Sequence, residues 1–203
     1  IGLSDGPPRK CDEEARRLVG ERRSSVFPAP IRPVLGDFGH PLEVRMDPAR
    51  GGRTVVYFPG STIGNLMPEE AHAFLTMTRG QVGPRGAMLV GVDLKKDPVV
   101  LHAAYNDAKG VTAAFNLNLL ARINRELGGN FELPRWRHYA FYNATLGRIE
   151  MHLVSLARQS VRIGRHRFAF ERGETIHTEN SYKYGIEEFR DLARRAGFRP
   201  AQV

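Results

Sequence analysis

The chain has 203 residues and a mass of 22.8 kDa, with 41% hydrophobic and 26% charged residues. That supports one globular core with a small subdomain and excludes a disordered chain. No run approaches the roughly 20 apolar residues that cross a bilayer, and the opening IGLSDGPPRK lacks the apolar centre of a secretory signal. The expectation is therefore a cytoplasmic protein with no membrane partner. Cys11 is the single cysteine and the seven histidines show no HExxH pairing, so an internal disulfide and a cysteine-rich zinc site are excluded and no metal site is expected.

A formal net charge of +8 raises nucleic acid or an anionic ligand as partner. The arginines of EEARRLVGERR, ARQSVRIGRHRF and FRDLARRAGF are mixed with acids or strand-type apolar residues. They accompany no nucleic-acid motif, so solvated surface arginine is the expectation and a basic groove the alternative.

In chain order, DEEARRLVGERR has helical spacing with an acidic first turn, and IRPVLGDF, after the FPAP breaker, reads as a short strand. RTVVYFPGSTIGN is a β-branched and aromatic run stopped by a Pro-Gly turn, PEEAHAFLTMTR opens a helix on proline, and GAMLVGVDL is a second buried strand. This alternation predicts a parallel, doubly wound sheet with functional residues beyond the carboxyl ends of its strands. After Asp93 the rhythm changes. Two helices parted at Lys109-Gly110 precede antiparallel strands with turns at LG and GR, which reads as an insertion. YGIEEFRDLARRAGF returns to an amphipathic helix with a glycine stop, and RPAQV is expected to begin a further strand.

Three polar clusters fall where such a sheet places a site. Asp37 and Phe38 end the first expected strand, where a carboxylate can hold an amine and a ring can cover a flat heterocycle, although an aspartate there also forms turns. FPGSTIGN, Phe58 to Asn65, sets Gly60 and Gly64 where backbone can approach a ligand, with Ser61, Thr62 and Asn65 as donors and acceptors. It lacks the lysine and spacing of a P-loop, and a plain strand-to-helix turn is the alternative. The third, GETIHTENSYKY, Gly173 to Tyr184, crowds polar groups ahead of a helix. In an extended segment Glu179 and Ser181 share a side and could grip an imidazole, among other partners, while a Glu179 to Lys183 ion pair on a loop is the ordinary alternative.

Together FPGSTIGN, GVDLKKDPVVLHAAYNDAKGVTAAFNLNLLARIN, GRIEMHLVS and GETIHTENSYKY closely resemble the S-adenosylmethionine-dependent histidine Nα-methyltransferases that open the ergothioneine pathway, in the right order from about Asp12 to Val203. The resemblance implies an α/β fold, a Rossmann-like class I methyltransferase sheet with an inserted α+β substrate-recognition subdomain. The expected organisation is a partial methyltransferase domain over 1–96, the insertion over 97–181, and a return to the sheet over 182–203. It implies trimethylation of the α-amine of L-histidine to hercynine with S-adenosylmethionine as cofactor. Asp37 and Phe38 match the adenine contacts, Gly60 and Asn65 positions beside the substrate's amino and carboxylate groups, and Tyr105 a tyrosine that binds the carboxylate. Met151 matches a residue lining the side-chain pocket, and Glu179 and Ser181 the pair that reads the imidazole, making GETIHTENSYKY a histidine-recognition loop. No general base is required, because the sulfonium is already activated and the protein has mainly to orient an amine.

The chain departs from that pattern in lacking the acidic-Gly-x-Gly motif, the acid after the second strand, near which Lys10 falls, and the N-terminal tyrosines. The expectation is an incomplete version of the sheet that alone binds donor poorly and turns over slowly or not at all. The competing readings are a non-catalytic amino-acid-binding or regulatory module and a methyltransferase acting on tryptophan derivatives. Oligomeric state is not legible.

Overall fold

The computed structural model describes Val34, residues 36–42 and residues 52–203. The chain divides into two compact units, Ile1–Gly52 and Arg53–Val203. In the first, the backbone turns over Asp37: the His40 amide donates to the Asp37 carbonyl at 3.0 Å and the Gly39 amide to Asp37 Oδ1 at 2.8 Å. The helix expected at DEEARRLVGERR lies outside the described residues, as does half of the strand expected at IRPVLGDF.

The second unit is mixed α/β, and its described residues form three small sheets and four α-helices. Strand β1 (Val55–Phe58) pairs in parallel with β2 (Ala87–Val90), in the register Val55 to Ala87 and Phe58 to Val90. Helix α1 (Pro68–Val82) crosses between them, starting on proline, with the Glu70 carboxylate accepting from the Met67 amide at 2.8 Å. Its residues Ala71, Phe74, Leu75, Thr78 and Val82 recur at helical spacing and are buried. Val56 and Phe58 alternate with Val55 and Tyr57, and the latter two stay exposed, Tyr57 at 68%.

Two helices follow, α2 (Pro98–Tyr105) and α3 (Val111–Leu127). Asp97 caps α2 by accepting from the Val99 amide at 2.7 Å, and Asp107 caps α3 through the Val111 and Thr112 amides at 2.9 and 2.8 Å. Gly110 stands between the helices at φ +69°, a left-handed conformation that costs a side-chain-bearing residue energy and so fits the predicted break at Lys109-Gly110.

The antiparallel sheet has the order β3 (Trp136–Asn143), β4 (Arg148–Ser155), β7 (Thr175–Tyr182), and the hairpin β5 (Gln159–Ile163) and β6 (His166–Phe170) stands between β4 and β7 in sequence. Ile149 and Leu153 of β4 are fully buried, each side chain contributing about 2 kcal/mol of burial free energy. After β7 the chain changes sheets. Lys183 N donates to the Gly147 carbonyl at 2.9 Å, and Tyr184 then bridges Leu94 in parallel, its amide donating to the Asp93 carbonyl at 3.1 Å. One strand thus ties the antiparallel sheet to the segment beyond β2. Helix α4 (Ile186–Arg195) closes the order and stops before Gly197 at φ +84°.

Two expectations need correction. GETIHTENSYKY is not a loop: Thr175–Tyr182 is a ladder strand, because its alternating residues find β4 as a partner. RPAQV forms no strand, since no described segment pairs with residues 199–203.

Candidate functional site

The site lies within the second unit and is built around one irregularity of β7. Glu179 pairs with Met151, and His177 with His152, leaving Thr178 as an extra residue in a β-bulge. The Thr178 hydroxyl donates to the Met151 carbonyl at 3.0 Å. Ile176 and Glu179 are an odd number of positions apart, so a regular strand would send them to opposite faces. The bulge lets Ile176, opposite Leu153, pack against the core of Leu120, Phe131 and Trp136, while Glu179 and Ser181 stay on the face of Met151 and Ile149. Lys183 continues that face, and Tyr182 and Tyr184 point into the other core, with Ile63, Phe74 and Leu192.

Glu179 is half-buried, and among the described residues its carboxylate makes no hydrogen bond or ion pair. Burial pushes its carboxyl above the ordinary range, and the charge of Lys183 offsets part of that rise. The Glu179–Lys183 ion pair considered from sequence is not formed. Lys183, 0% exposed, instead pairs with Asp93 at 2.8 Å and donates to Tyr105 Oη at 2.8 Å and Ser181 Oγ at 2.9 Å. Its ammonium also lies 4.8 Å from the Tyr105 ring centroid. Burial raises the Asp93 carboxyl, and hydrogen bonds from Lys183 and Lys96 outweigh it, holding the group below its ordinary value. The Tyr105 hydroxyl donates to Ser181 Oγ at 2.9 Å, so two residues matched to opposite ends of a substrate are in direct contact.

Tyr105 ends α2 and is held there by side chains acting as backbone. The Asn106 amide group donates to the Ala140 carbonyl at 2.9 Å and accepts from the Ala140 amide at 3.1 Å. His138 Nε2 donates to the Tyr105 carbonyl at 2.8 Å, while its Nδ1 accepts from buried Asn116 at 3.0 Å. The two bonds are mutually consistent with one neutral tautomer.

Gly60 and Ser61 take consecutive left-handed conformations, φ +75° and +56°, at the end of β1. Ser61 and Thr62 are consumed by the turn: Ser61 Oγ accepts from the Asp93 amide at 2.8 Å, and Thr62 donates to the Pro59 carbonyl at 3.4 Å. The turn sits tightly on β7, where a Cβ on Gly64 would lie 2.8 Å from the Tyr182 carbonyl oxygen. Asn65 is the member of FPGSTIGN that reaches an open cleft, of about 350 Å³, whose other walls are His177, Thr178, Glu179 and Asn180. Met151 is 3% exposed and packs with Leu101, Ala140 and Ile149 on the β4 side of Glu179.

The structure therefore brings Asn65 to Glu179, and Tyr105 to Ser181, and sets Met151 across the ladder from Glu179. Asp37 and Phe38 belong to the first unit. The Gly39 amide, against the opposing effect of burial and with help from His40, holds the Asp37 carboxyl below its ordinary value. Each oxygen keeps a lone pair beyond its bonds to Gly39 and His40, so the Asp37 carboxylate can still accept from an amino group.

Asp93, Asn106, His138 and Lys183 were missed by sequence reasoning; a lysine two positions from a candidate serine was the one signal in the chain. On the opposite face of the sheet, Glu150, His152 and His177 place ligand-type atoms within 4.8 Å of one another. Arg148 holds Oε1 of Glu150 at 2.8 and 2.9 Å, Oε2 lies 3.4 Å from His152 Nε2, and the two imidazoles stack at 13° with centroids 4.6 Å apart.

A strand that carries an unpaired carboxylate and a hydroxyl on one face, beside a cleft lined by two amide side chains, has groups of the kind that can recognise a small polar molecule. The family model for histidine-specific, SAM-dependent methyltransferases matches residues 15–203, and the chain belongs to that family. It is 45% identical over 157 residues to the histidine N-alpha-methyltransferase of Mycobacterium tuberculosis, covering 76% of this chain and 48% of that protein. The match to the histidine N-alpha-methyltransferase of Mycolicibacterium smegmatis is 38% over 195 residues, covering 95% of this chain and 60% of the relative. Ergothioneine biosynthesis protein 1 of Neurospora crassa is 33% identical over 152 residues, covering 68% of this chain and 16% of that protein. The chain thus spans about half the length of the mycobacterial relatives. No helix among the described residues is long and apolar enough to cross a membrane.

Proposed function

We propose that the protein transfers methyl groups from S-adenosylmethionine to the α-amine of L-histidine, through to the trimethylated betaine hercynine of ergothioneine biosynthesis. The observation that carries this reading is the unpaired Glu179 carboxylate beside Ser181 on one face of β7, a complement to an imidazole, in a chain of the histidine-specific family. Glu179 accepts a ring N–H and Ser181 meets the other nitrogen. Asn65, with Gly60, takes the substrate's carboxylate and amino end, and Tyr105 stands between the two ends. Met151, across the ladder from Glu179 on the same face, lines the side of the ring. Asp37 and Phe38 hold the adenine of the donor.

The donor, when bound, supplies an activated methyl group. The chain's own residues fix both ends of histidine so that the neutral amine faces that group, and they exclude ligands that leave Glu179 unpaired, an unmet carboxylate being costly in a half-buried site. We place these residues on a Rossmann-like class I sheet, with 1–96 and 182–203 forming the methyltransferase domain and 97–181 the substrate-recognition insertion.

The test is methyl transfer from labelled donor to L-histidine, with L-tryptophan as the competing acceptor and product mass as the readout. Histidine carrying one to three added methyl groups is expected. Transfer to tryptophan in preference to histidine, or donor binding with no transfer to histidine, overturns the reading.

A further inference from the structure

The sheet face turned away from Glu179 carries a second group of ligand-type side chains, which the histidine reading does not use. Glu150 and His152 lie two apart on β4, and His177 stands opposite His152 on β7. Ligand-type atoms of the three fall within 4.8 Å of one another. Glu150 Oε2 and His152 Nε2 are 3.4 Å apart, close to the ligand-to-ligand edge of a tetrahedron whose bonds are about 2.0–2.1 Å. Both side chains are anchored through their other heteroatom. Arg148, at 2.8 and 2.9 Å, and Asn143, at 3.1 Å, all donate to Glu150 Oε1 and leave Oε2 for a further partner. The His152 ring stacks on Phe141, and its Nδ1 lies 3.2 Å from Thr175 Oγ1, so Nδ1–H can donate there while Nε2 stays bare. His177 is exposed, and among the described residues its one ring-nitrogen hydrogen bond is the 3.2 Å contact of Nε2 with the Glu179 carbonyl. Its ring lies nearly parallel to that of His152, so it has to turn about its side-chain bonds to meet the other two at one point. The ring torsion of histidine is broad, and an exposed ring with one hydrogen bond is free to make that turn.

We propose that Glu150, His152 and His177 bind one divalent transition-metal ion of the zinc type, which joins β4 to β7 beside the Thr178 bulge. One carboxylate oxygen and two imidazole nitrogens suit such an ion, whereas magnesium and calcium take oxygen ligands. The exposure of His177 leaves the fourth position to water. No spacing in the sequence announces the site, because its ligands come from two strands that only the ladder brings together. The proposal is independent of the histidine reading, although His177 also borders the cleft of Asn65 and Glu179.

The untagged chain is titrated with zinc by calorimetry and, labelled with nitrogen-15, through the ring-nitrogen signals of its seven histidines. One ion per chain should bind, and the signals of His152 and His177 should shift while those of the other histidines stay in place. Magnesium at about hundredfold excess should not displace the zinc. The melting temperature should rise with zinc concentration, because the ion binds the folded chain. Thr175→Val removes only the partner of His152 Nδ1 and should weaken zinc binding about tenfold, and His177→Ala should weaken it further. Because His177 is exposed, that variant should keep the parent melting temperature in the absence of zinc. No zinc binding, or an affinity within about threefold of the parent in His177→Ala, overturns the proposal. Shifts confined to other histidines, or zinc binding that disappears in Cys11→Ser, mark an adventitious ion only and overturn it as well.

Discussion

The hydroxyl of Thr178 donates to the carbonyl of Met151 at 3.0 Å across the bulge that separates Glu179 from His177 in the ladder. This bond anchors the extra residue that lets Ile176 enter the core while Glu179 faces the site. Thr178→Val keeps the shape and removes the bond, so the protein should lose about 0.5–1.5 kcal/mol of stability, with histidine affinity falling as Glu179 loses its fixed position. Urea unfolding and calorimetry on the same variant check both. Unchanged values for each would show that the ladder alone holds the bulge.

Glu179→Ala removes the carboxylate that, on the proposed reading, accepts a ring N–H. Histidine binding should weaken by roughly 2–3 kcal/mol, the size of a hydrogen bond to a charged group together with the donor left unmet. Stability should change little or rise, because a half-buried carboxylate whose pKa burial has raised is removed. Calorimetric affinity within threefold of the parent value would remove Glu179 from the recognition site.

Gly64→Ala sets a Cβ against the Tyr182 carbonyl at 2.8 Å, with the Tyr182 amide at 3.4 Å. Backbone cannot swing aside as a flexible side chain does, so the turn must lift from β7, at about 1–3 kcal/mol. Asn65 moves with it, and histidine affinity should drop together with the melting temperature. An unaltered melting temperature would mean that the turn and β7 are less closely seated than the structure shows.

Asp37→Ala should lower affinity for the methyl donor and leave histidine binding far less affected, because on the proposed reading the two contacts serve different ligands. Separate titrations with donor and with histidine decide it. Equal loss for both ligands would assign Asp37 to the local turn it makes with Gly39 and His40.

Asp107 caps α3, and the Thr112 and Val111 amides lower its carboxyl from 3.8 to about 2. A depressed carboxyl stabilises the fold above its unfolded value and loses that contribution as pH falls through the folded one. The stabilisation should therefore be complete above about pH 4 and fade toward pH 2. Asp107→Asn should reduce the melting temperature at pH 7 and flatten its decline between those values. An identical acid profile in parent and variant would show that the cap is not formed in solution.

Local sequence determined the elements whose causes are local. Pro68 and Pro98 start helices, Gly110 and Gly197 interrupt or end them, and the β-branched and aromatic run Val55–Phe58 and the apolar run Ala87–Val90 become strands. Period-two spacing placed Glu179 and Ser181 on one side before any fold was known. What only tertiary structure decided is everything that depends on a distant partner. GETIHTENSYKY reads as a loop because its polar side chains mask a strand whose hydrogen bonds run to β4, and no spacing announces a bulge at Thr178. Lys183 invites pairing with Glu179 in sequence, yet the bridge between Leu94 and Tyr184 delivers Asp93 from 90 positions upstream, and a fully buried ammonium takes the partner that satisfies it in the folded chain.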